Sequence, residues 1–166
     1  SKPTDIEALK SMTVNGRPVS ELIVDQSGIT GEKMELGFYE FVSAPSTIFY
    51  IHPGNKLATI VGFNMPVEYQ VAPDVAMQVA ALNPIAAGRD DVPAEVVTKE
   101  LEIAKEKARE EGKKEEMLDK IAQGRINKFF QEATLLEQAF VKEPKEGIQQ
   151  YLKSQTNDLT VTAFKR

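Results

Sequence analysis

Apolar positions change their period several times along this chain, and each change marks an element. Residues 5–12 carry the spacing of a short helix or its tail, and Asn15-Gly16-Arg17-Pro18 then reads as a turn. Residues 20–25 form a short amphipathic helix, closed by Ser27-Gly28 and Thr30-Gly31. Residues 33–42, rich in large apolar and aromatic side chains, read as a strand that Ala44-Pro45 ends. Two β-branched runs follow, 47–51 and 57–63, with His52-Pro53-Gly54-Asn55 between them. Proline fixes φ and glycine supplies a positive φ, so this tetrapeptide predicts a type II turn and a β-hairpin.

Helical spacing returns over 75–82, with Pro73 and Asp74 in the first turn and Asn83-Pro84 as the stop. Its alanines would let the helix lie close on a sheet. A charged helical hairpin comes next, at about 91–133, with Asp90 or Asp91 as its cap and Pro93 in its first turn. Val97, Leu101, Ala104 and Ala108 recur at spacings of four, three and four, a narrow stripe like that of a coiled coil. Gly112 breaks the first helix, and 115–133 returns with Leu118, Ala122, Ile126, Phe129 and Ala133 on one side. Two such helices joined by a short turn lie antiparallel. Their narrow apolar stripe predicts that they project from the domain, with Val97, Leu101, Ala104 and Leu118 as the contact stripe. Glu95–Lys99, Glu102–Lys105 and Glu106–Arg109 can pair on the wet face, each worth ~0.2–0.5 kcal/mol. A short helix over 148–154 and a strand over 159–164 complete the chain. The fold class is α+β: a small antiparallel three-stranded sheet packed with helices, plus a protruding antiparallel helical hairpin.

Two segments are alike. Arg17-Pro18-Val19-Ser20-Glu21-Leu22-Ile23 precedes the run 33–42, and Glu146-Gly147-Ile148-Gln149-Gln150-Tyr151-Leu152 precedes the run 159–164. In both, a short helix feeds an aromatic-ended strand, which hints at duplication. The second copy is complete and the first has only its ending, so the hairpin and long helix of the first would lie before Ser1.

Composition narrows the function. The 166 residues suffice for a real core, and a net charge of -5 leaves no basic excess for phosphates, which argues against nucleic acid as a direct partner. No apolar run approaches the ~20 residues of a membrane span. The absence of cysteine excludes disulfides, thiolate metal sites and thiol catalysis, and fits the cytoplasm. Ser1 is no natural initiator, so a processed or shortened chain is expected.

His52 is the lone histidine and cannot by itself make a metal site. It reads either as a partner contact at an exposed hairpin tip, with Gly54 and Asn55, or as a plain turn residue. Phe129 reads as core, whereas Phe140 reads equally as core or as a docking anchor beside Val141. Arg125 reads as one half of a structural or solvated ion pair. The acidic doublets Asp90-Asp91 and Glu115-Glu116 read as cap and wet-face charges rather than paired acid catalysts. No phosphate-cradling glycine loop or nucleophile motif is present. The chain therefore reads as a protein without its own catalytic site, cofactor or metal.

The stretches Tyr50-Ile51-His52-Pro53-Gly54 with 57–61, Val75-Ala76-Met77-Gln78-Val79-Ala80-Ala81 with Asn83-Pro84, Asp91-Val92-Pro93-Ala94-Glu95-Val96-Val97, and Gly124-Arg125-Ile126-Asn127-Lys128-Phe129 through 136–142 occur in one order. Together they resemble the translation elongation factor Ts family, over roughly residues 16–166. The resemblance implies a guanine-nucleotide exchange factor that promotes GDP release from elongation factor Tu in the cytoplasm. It also implies two related α+β core subdomains and a protruding helical hairpin. Residues 1–45 would be the end of the first subdomain and 46–166 the second, with the hairpin inserted. His52, Gly54, Asn55, Phe140 and Val141 are the residues expected to meet the partner. The family also carries an N-terminal three-helix domain and a Thr-Asp-Phe-Val motif that works near the magnesium site of its partner; neither occurs in this sequence. The chain is therefore expected to bind GDP-bound elongation factor Tu yet exchange poorly. The competing reading is a structural module unrelated to translation that forms a homodimer through its helical hairpin.

Overall fold

The computed structural model describes residues 2–166, which divide into two compact units at Phe41/Val42. In the first unit, α1 (Ile6–Ser11) starts at Asp5, whose Oδ1 accepts from the Ala8 N–H at 2.8 Å. That hydrogen bond holds the Asp5 carboxyl below its usual range. β1 (Thr13–Val14) and β2 (Arg17–Pro18) pair around Asn15 and Gly16, with φ of 52° and 80°. Two consecutive positive φ angles are what a tight hairpin turn of type I′ demands.

α2 runs Val19–Thr30, longer than the helix expected at 20–25. Gly28 does not end it, because a glycine inside a helix costs only ~1 kcal/mol. Gly31 does end it, since it adopts the left-handed conformation that releases the chain. The strand expected at 33–42 does not form. A strand needs a ladder, and among the described residues this segment pairs with none.

The second unit is built on a three-stranded antiparallel sheet, ordered β3 (Ser46–Ile51), β4 (Ala58–Phe63), β5 (Val161–Lys165). The turn is the one expected: the Asn55 N–H donates to His52 O at 3.0 Å, and Gly54 has φ of 92°. α3 (Val71–Leu82) covers the inner face, burying Val75, Ala76 and Val79 against Val61 and Phe63. Its small residues do bring it close, for the Thr59 hydroxyl donates to the Ala76 carbonyl at 2.9 Å. Asn83 ends α3 in the left-handed conformation. On the outer face, the strap at Val42 and Ala44 lies so near β4 that a Cβ on Gly62 would fall 2.7 Å from both side chains.

α4 (Ala94–Glu110) and α5 (Glu115–Ala133) form the antiparallel hairpin, with Gly112 at the turn. The Asp91 carboxylate accepts from the Gly88 N–H at 2.9 Å and stabilises a 3-10 turn at Arg89–Asp91. Neither Asp90 nor Asp91 therefore caps α4, which starts after Pro93. The root of the hairpin is pinned where the Leu135 and Leu136 N–H groups donate to Ala86 O and Ala87 O at 2.9 and 3.0 Å. α6 (Ile148–Gln155) then buries Ile148 and Leu152 in the same core as Leu135, Phe140 and Leu159.

Candidate partner interface

Three surfaces collect the residues singled out in the sequence. The first is the β3–β4 turn. His52, Gly54 and Asn55 are all exposed there, and the His52 Nδ1 shares a 2.9 Å hydrogen bond with the Tyr50 hydroxyl. That bond and the tilted ring contact with Tyr50, 6.0 Å between centroids, restrict where the imidazole points. Gly54 and Asn55 both have positive φ, so the tip is held in one shape by its own backbone.

The second surface is the loop from α5 to α6, where adjacent residues separate. Phe140 is only 4% exposed and stacks on Tyr151, 4.4 Å between ring centroids, whereas Val141 is 40% exposed. Phe140 reads from sequence as core or docking anchor; the structure places its ring in the core. The loop is fixed by a buried amide pair. The Gln78 amide donates to Gln138 Oε1 at 3.2 Å and to Ala139 O at 3.0 Å, and its oxygen accepts from the Val141 N–H at 3.0 Å. Lys142 adds a 2.6 Å ion pair to Asp74, which also accepts from the Tyr151 hydroxyl at 3.3 Å. Burial, and then the Asp74 charge, push the Tyr151 phenol up to about 12. Beside this loop lies an open groove of about 670 Å³, floored by Leu82, Leu136 and Pro144.

The third surface is the helical hairpin. Ala104 and Leu118 are buried with Ala108 and Ala122, while Val97 and Leu101 are half-buried. The expected contact stripe is thus largely the seam between α4 and α5 rather than an outward face. Phe129, expected in the core, is only half-buried. Lys105 and Arg109, expected to pair within α4, instead reach Asp119 at 2.6 Å and Glu115 at 2.7 Å across the seam, and Arg125 pairs with Glu111 at 2.7 Å. Arg125 also donates to Ala104 O at 3.3 Å, so it is the structural ion pair that the sequence favoured.

Sequence reasoning missed Arg89. It grips Glu137 through Nε and Nη2, donates from Nη1 to Asn127 Oδ1 at 2.9 Å, and lies 4.8 Å over the Phe130 ring. The Glu137 carboxylate raises the Arg89 guanidinium above its ordinary value. No hydrogen bond, ion pair or ring contact joins the His52 turn to Val141 or to the hairpin among the described residues, so these are separate surfaces.

Among the described residues, no group of three or more His, Cys, Asp or Glu is placed to hold a metal ion. Among the same residues, no helix is long and apolar enough to cross a membrane.

A family model described as elongation factor Ts matches residues 1–166. The chain is 54% identical over 167 residues to elongation factor Ts of Azobacteroides pseudotrichonymphae, covering 100% of this chain and 61% of that protein. It is 51% identical over 166 residues to elongation factor Ts of Porphyromonas gingivalis, covering 99% and 61%. With elongation factor Ts of Thermobifida fusca it shares 44% identity over 156 residues, covering 90% and 56%. It spans about three fifths of the length of these curated relatives, 61% in each of the first two. The chain belongs to the elongation factor Ts family.

Proposed function

We propose that this chain grips GDP-bound elongation factor Tu in the cytoplasm as part of a guanine-nucleotide exchange factor, and that alone it releases GDP poorly. The observation that carries this reading is the family match along the whole chain. Residues 46–166 then serve as the second core subdomain with the hairpin inserted, and 1–45 as the end of the first. An exchange factor needs no catalytic cluster of its own, because the nucleotide pocket belongs to its partner. It works by binding the open state of that partner more tightly than the closed one. The rigid His52–Asn55 tip and Val141 supply the grip, with the Phe140 ring held in the core. The sequence has no Thr-Asp-Phe-Val segment with which to disturb the magnesium and phosphate contacts of GDP.

The hairpin supports the homodimer reading less well. Its apolar seam is already filled by its own Ala104, Ala108, Leu118 and Ala122, and the large apolar residue left outward is Met117, 47% exposed.

Release of a fluorescent GDP analogue from elongation factor Tu, run beside calorimetric titration of the same pair, tests the proposal. Binding with little acceleration is expected, and His52→Ala with Asn55→Ala should weaken it. Full acceleration would overturn the claim of poor exchange. Absence of binding by a chain that circular dichroism shows to be folded would overturn the grip itself.

A further inference from the structure

The helical hairpin is a lever attached at its root. Among the described residues, none of α4 or α5 belongs to the apolar core that β4, α3 and α6 share. The hairpin fills its own seam instead, with Ala104, Ala108, Leu118 and Ala122. α5 alone runs for 19 residues, ~28 Å, so a turn of ~10° at the root would carry the tip ~5 Å. Something at the root must therefore fix the direction.

Two kinds of contact meet there. The first is backbone. The Ile85 N–H donates to Ala133 O at 2.9 Å, and the Leu135 and Leu136 N–H groups donate to Ala86 O and Ala87 O at 2.9 and 3.0 Å. These bonds form one row between two short parallel segments, bridged at Ala86 and Thr134. The Gln138 amide adds a 2.8 Å bond to Glu132 O, in the last turn of α5 and so beside the same row. A single row stops the segments from sliding, but turning about the row strains it little, and such element-terminal residues are where hinges form.

The second contact is Arg89, which reaches away from that row. Its guanidinium donates from Nε and Nη2 to the Glu137 carboxylate, the Nη2 bond being 2.6 Å, and from Nη1 to Asn127 Oδ1 at 2.9 Å. Its face lies over the Phe130 ring at 4.8 Å. Asn127 and Phe130 belong to the hairpin, and Asn127 stands ~9 Å up the axis from the end of α5. Glu137 belongs to the core side, between buried Leu135 and buried Gln138. One planar group thus holds the hairpin by an edge and a face, and the core loop by its other edge.

We propose that Arg89 is the latch that fixes the direction of the helical hairpin, and that without it the hairpin turns about the row formed by residues 85–87 and 133–136. The latch requires arginine. Lysine keeps the charge but replaces a planar fork with a point donor, so it cannot hold Glu137 and Asn127 in fixed directions and also stack on Phe130. The pairs Lys105–Asp119 and Arg109–Glu115 cannot substitute, because they join α4 to α5 within the hairpin and have no grip on the core.

The chain has no cysteine, so two introduced thiols can be labelled specifically. Glu110→Cys at the far end of α4 and Lys153→Cys on α6 are both at exposed positions, and place nitroxide labels on the hairpin and on the core. Double electron–electron resonance should give one narrow distance distribution while Arg89 is intact. Arg89→Ala and Arg89→Lys, each with native circular dichroism, should shift it or widen it at least about twofold. A loss of stability alone would lower the urea midpoint without changing this distribution. Arg109→Ala removes a pair inside the hairpin and should leave the distribution unchanged. Should Arg89→Ala fail to fold, Arg89→Lys and Glu137→Ala carry the same expectation. A broad distribution with Arg89 intact overturns the proposal. So does a distribution that these variants leave unaltered, for then the backbone row alone fixes the direction. Equal widening by Arg109→Ala overturns it too, since the hairpin itself would then be loose.

Discussion

Gln78→Met is the substitution that most directly tests how the loop bearing Val141 is held. Gln78 is 0% exposed, and its amide makes three hydrogen bonds: to Gln138 Oε1 at 3.2 Å, to Ala139 O at 3.0 Å and from the Val141 N–H at 3.0 Å. Methionine has nearly the same length and volume, so no cavity opens and packing is close to conserved. The loss is therefore polar. Gln138 is itself buried and would keep an acceptor without a donor, at ~1–3 kcal/mol. The Ala139 carbonyl and Val141 N–H lie nearer the surface and recover water, so each forfeits only the net ~0.5–1.5 kcal/mol of a hydrogen bond. The sum is roughly 3 kcal/mol, a large share of the ~5–15 kcal/mol that stabilises a domain. Equilibrium unfolding in urea should show a lower midpoint at unchanged slope. Gln78→Met with Gln138→Leu should recover at least ~1 kcal/mol relative to the sum of the two singles, because the stranded partner is then gone. A Gln78→Met loss under ~1 kcal/mol, or strict additivity in that cycle, would refute the reasoning and mean that water or repacking replaces the amide.

Gly62→Val should displace the Val42–Ala44 strap, because its Cβ alone would fall 2.7 Å from both side chains; a loss of ~1–3 kcal/mol and faster proteolysis near residues 42–45 are expected. Asn83 holds φ of 47° at the end of α3, so Asn83→Val should cost ~1–2 kcal/mol by thermal unfolding whereas Asn83→Gly should be tolerated. The Tyr151 phenol, with a folded pKa of about 12 against the ordinary 10.0, should supply the late-titrating component of absorbance at 295 nm, and Tyr151→Phe should remove it. A raised folded pKa means that this contribution to stability is intact below pH 10.0 and is lost as pH climbs toward about 12.

What the sequence revealed and what it hid divide along sequence separation. The turn at His52–Asn55, the Asn83 stop and the bounds of α5 at Glu115 and Ala133 are legible because their causes lie within a few residues. Gly28 and Gly31 show the limit of such signals. Both are glycines three residues apart, and only the one that adopts the left-handed conformation ends the helix. The segment 33–42 has the composition of a strand but joins no ladder, and composition alone does not make a strand. The charges of α4 offered i,i+3 and i,i+4 partners, yet Lys105 and Arg109 cross to α5 for Asp119 and Glu115. An exposed intrahelical pair is worth a few tenths of a kcal/mol, so a small gain in geometry across the seam redirects it.

The same logic governs the candidate interface. Arg89 and Glu137 are 48 residues apart and Gln78 and Gln138 are 60 apart, so nothing local announces either pair. Phe140 and Val141 are neighbours with similar chemistry, and only the fold decides that one faces Tyr151 and the other faces water. The proposed partner-facing surface is therefore the least legible feature of this chain. It is made of residues whose side chains the core did not need, and the core is set by contacts that the sequence order does not display. The exposed His52 turn and Val141 are held in the same way: Tyr50 orients the first and Gln78 anchors the second, each from a residue half-buried or buried behind the surface. Substitutions in that supporting layer should therefore disturb recognition through position rather than through lost contact.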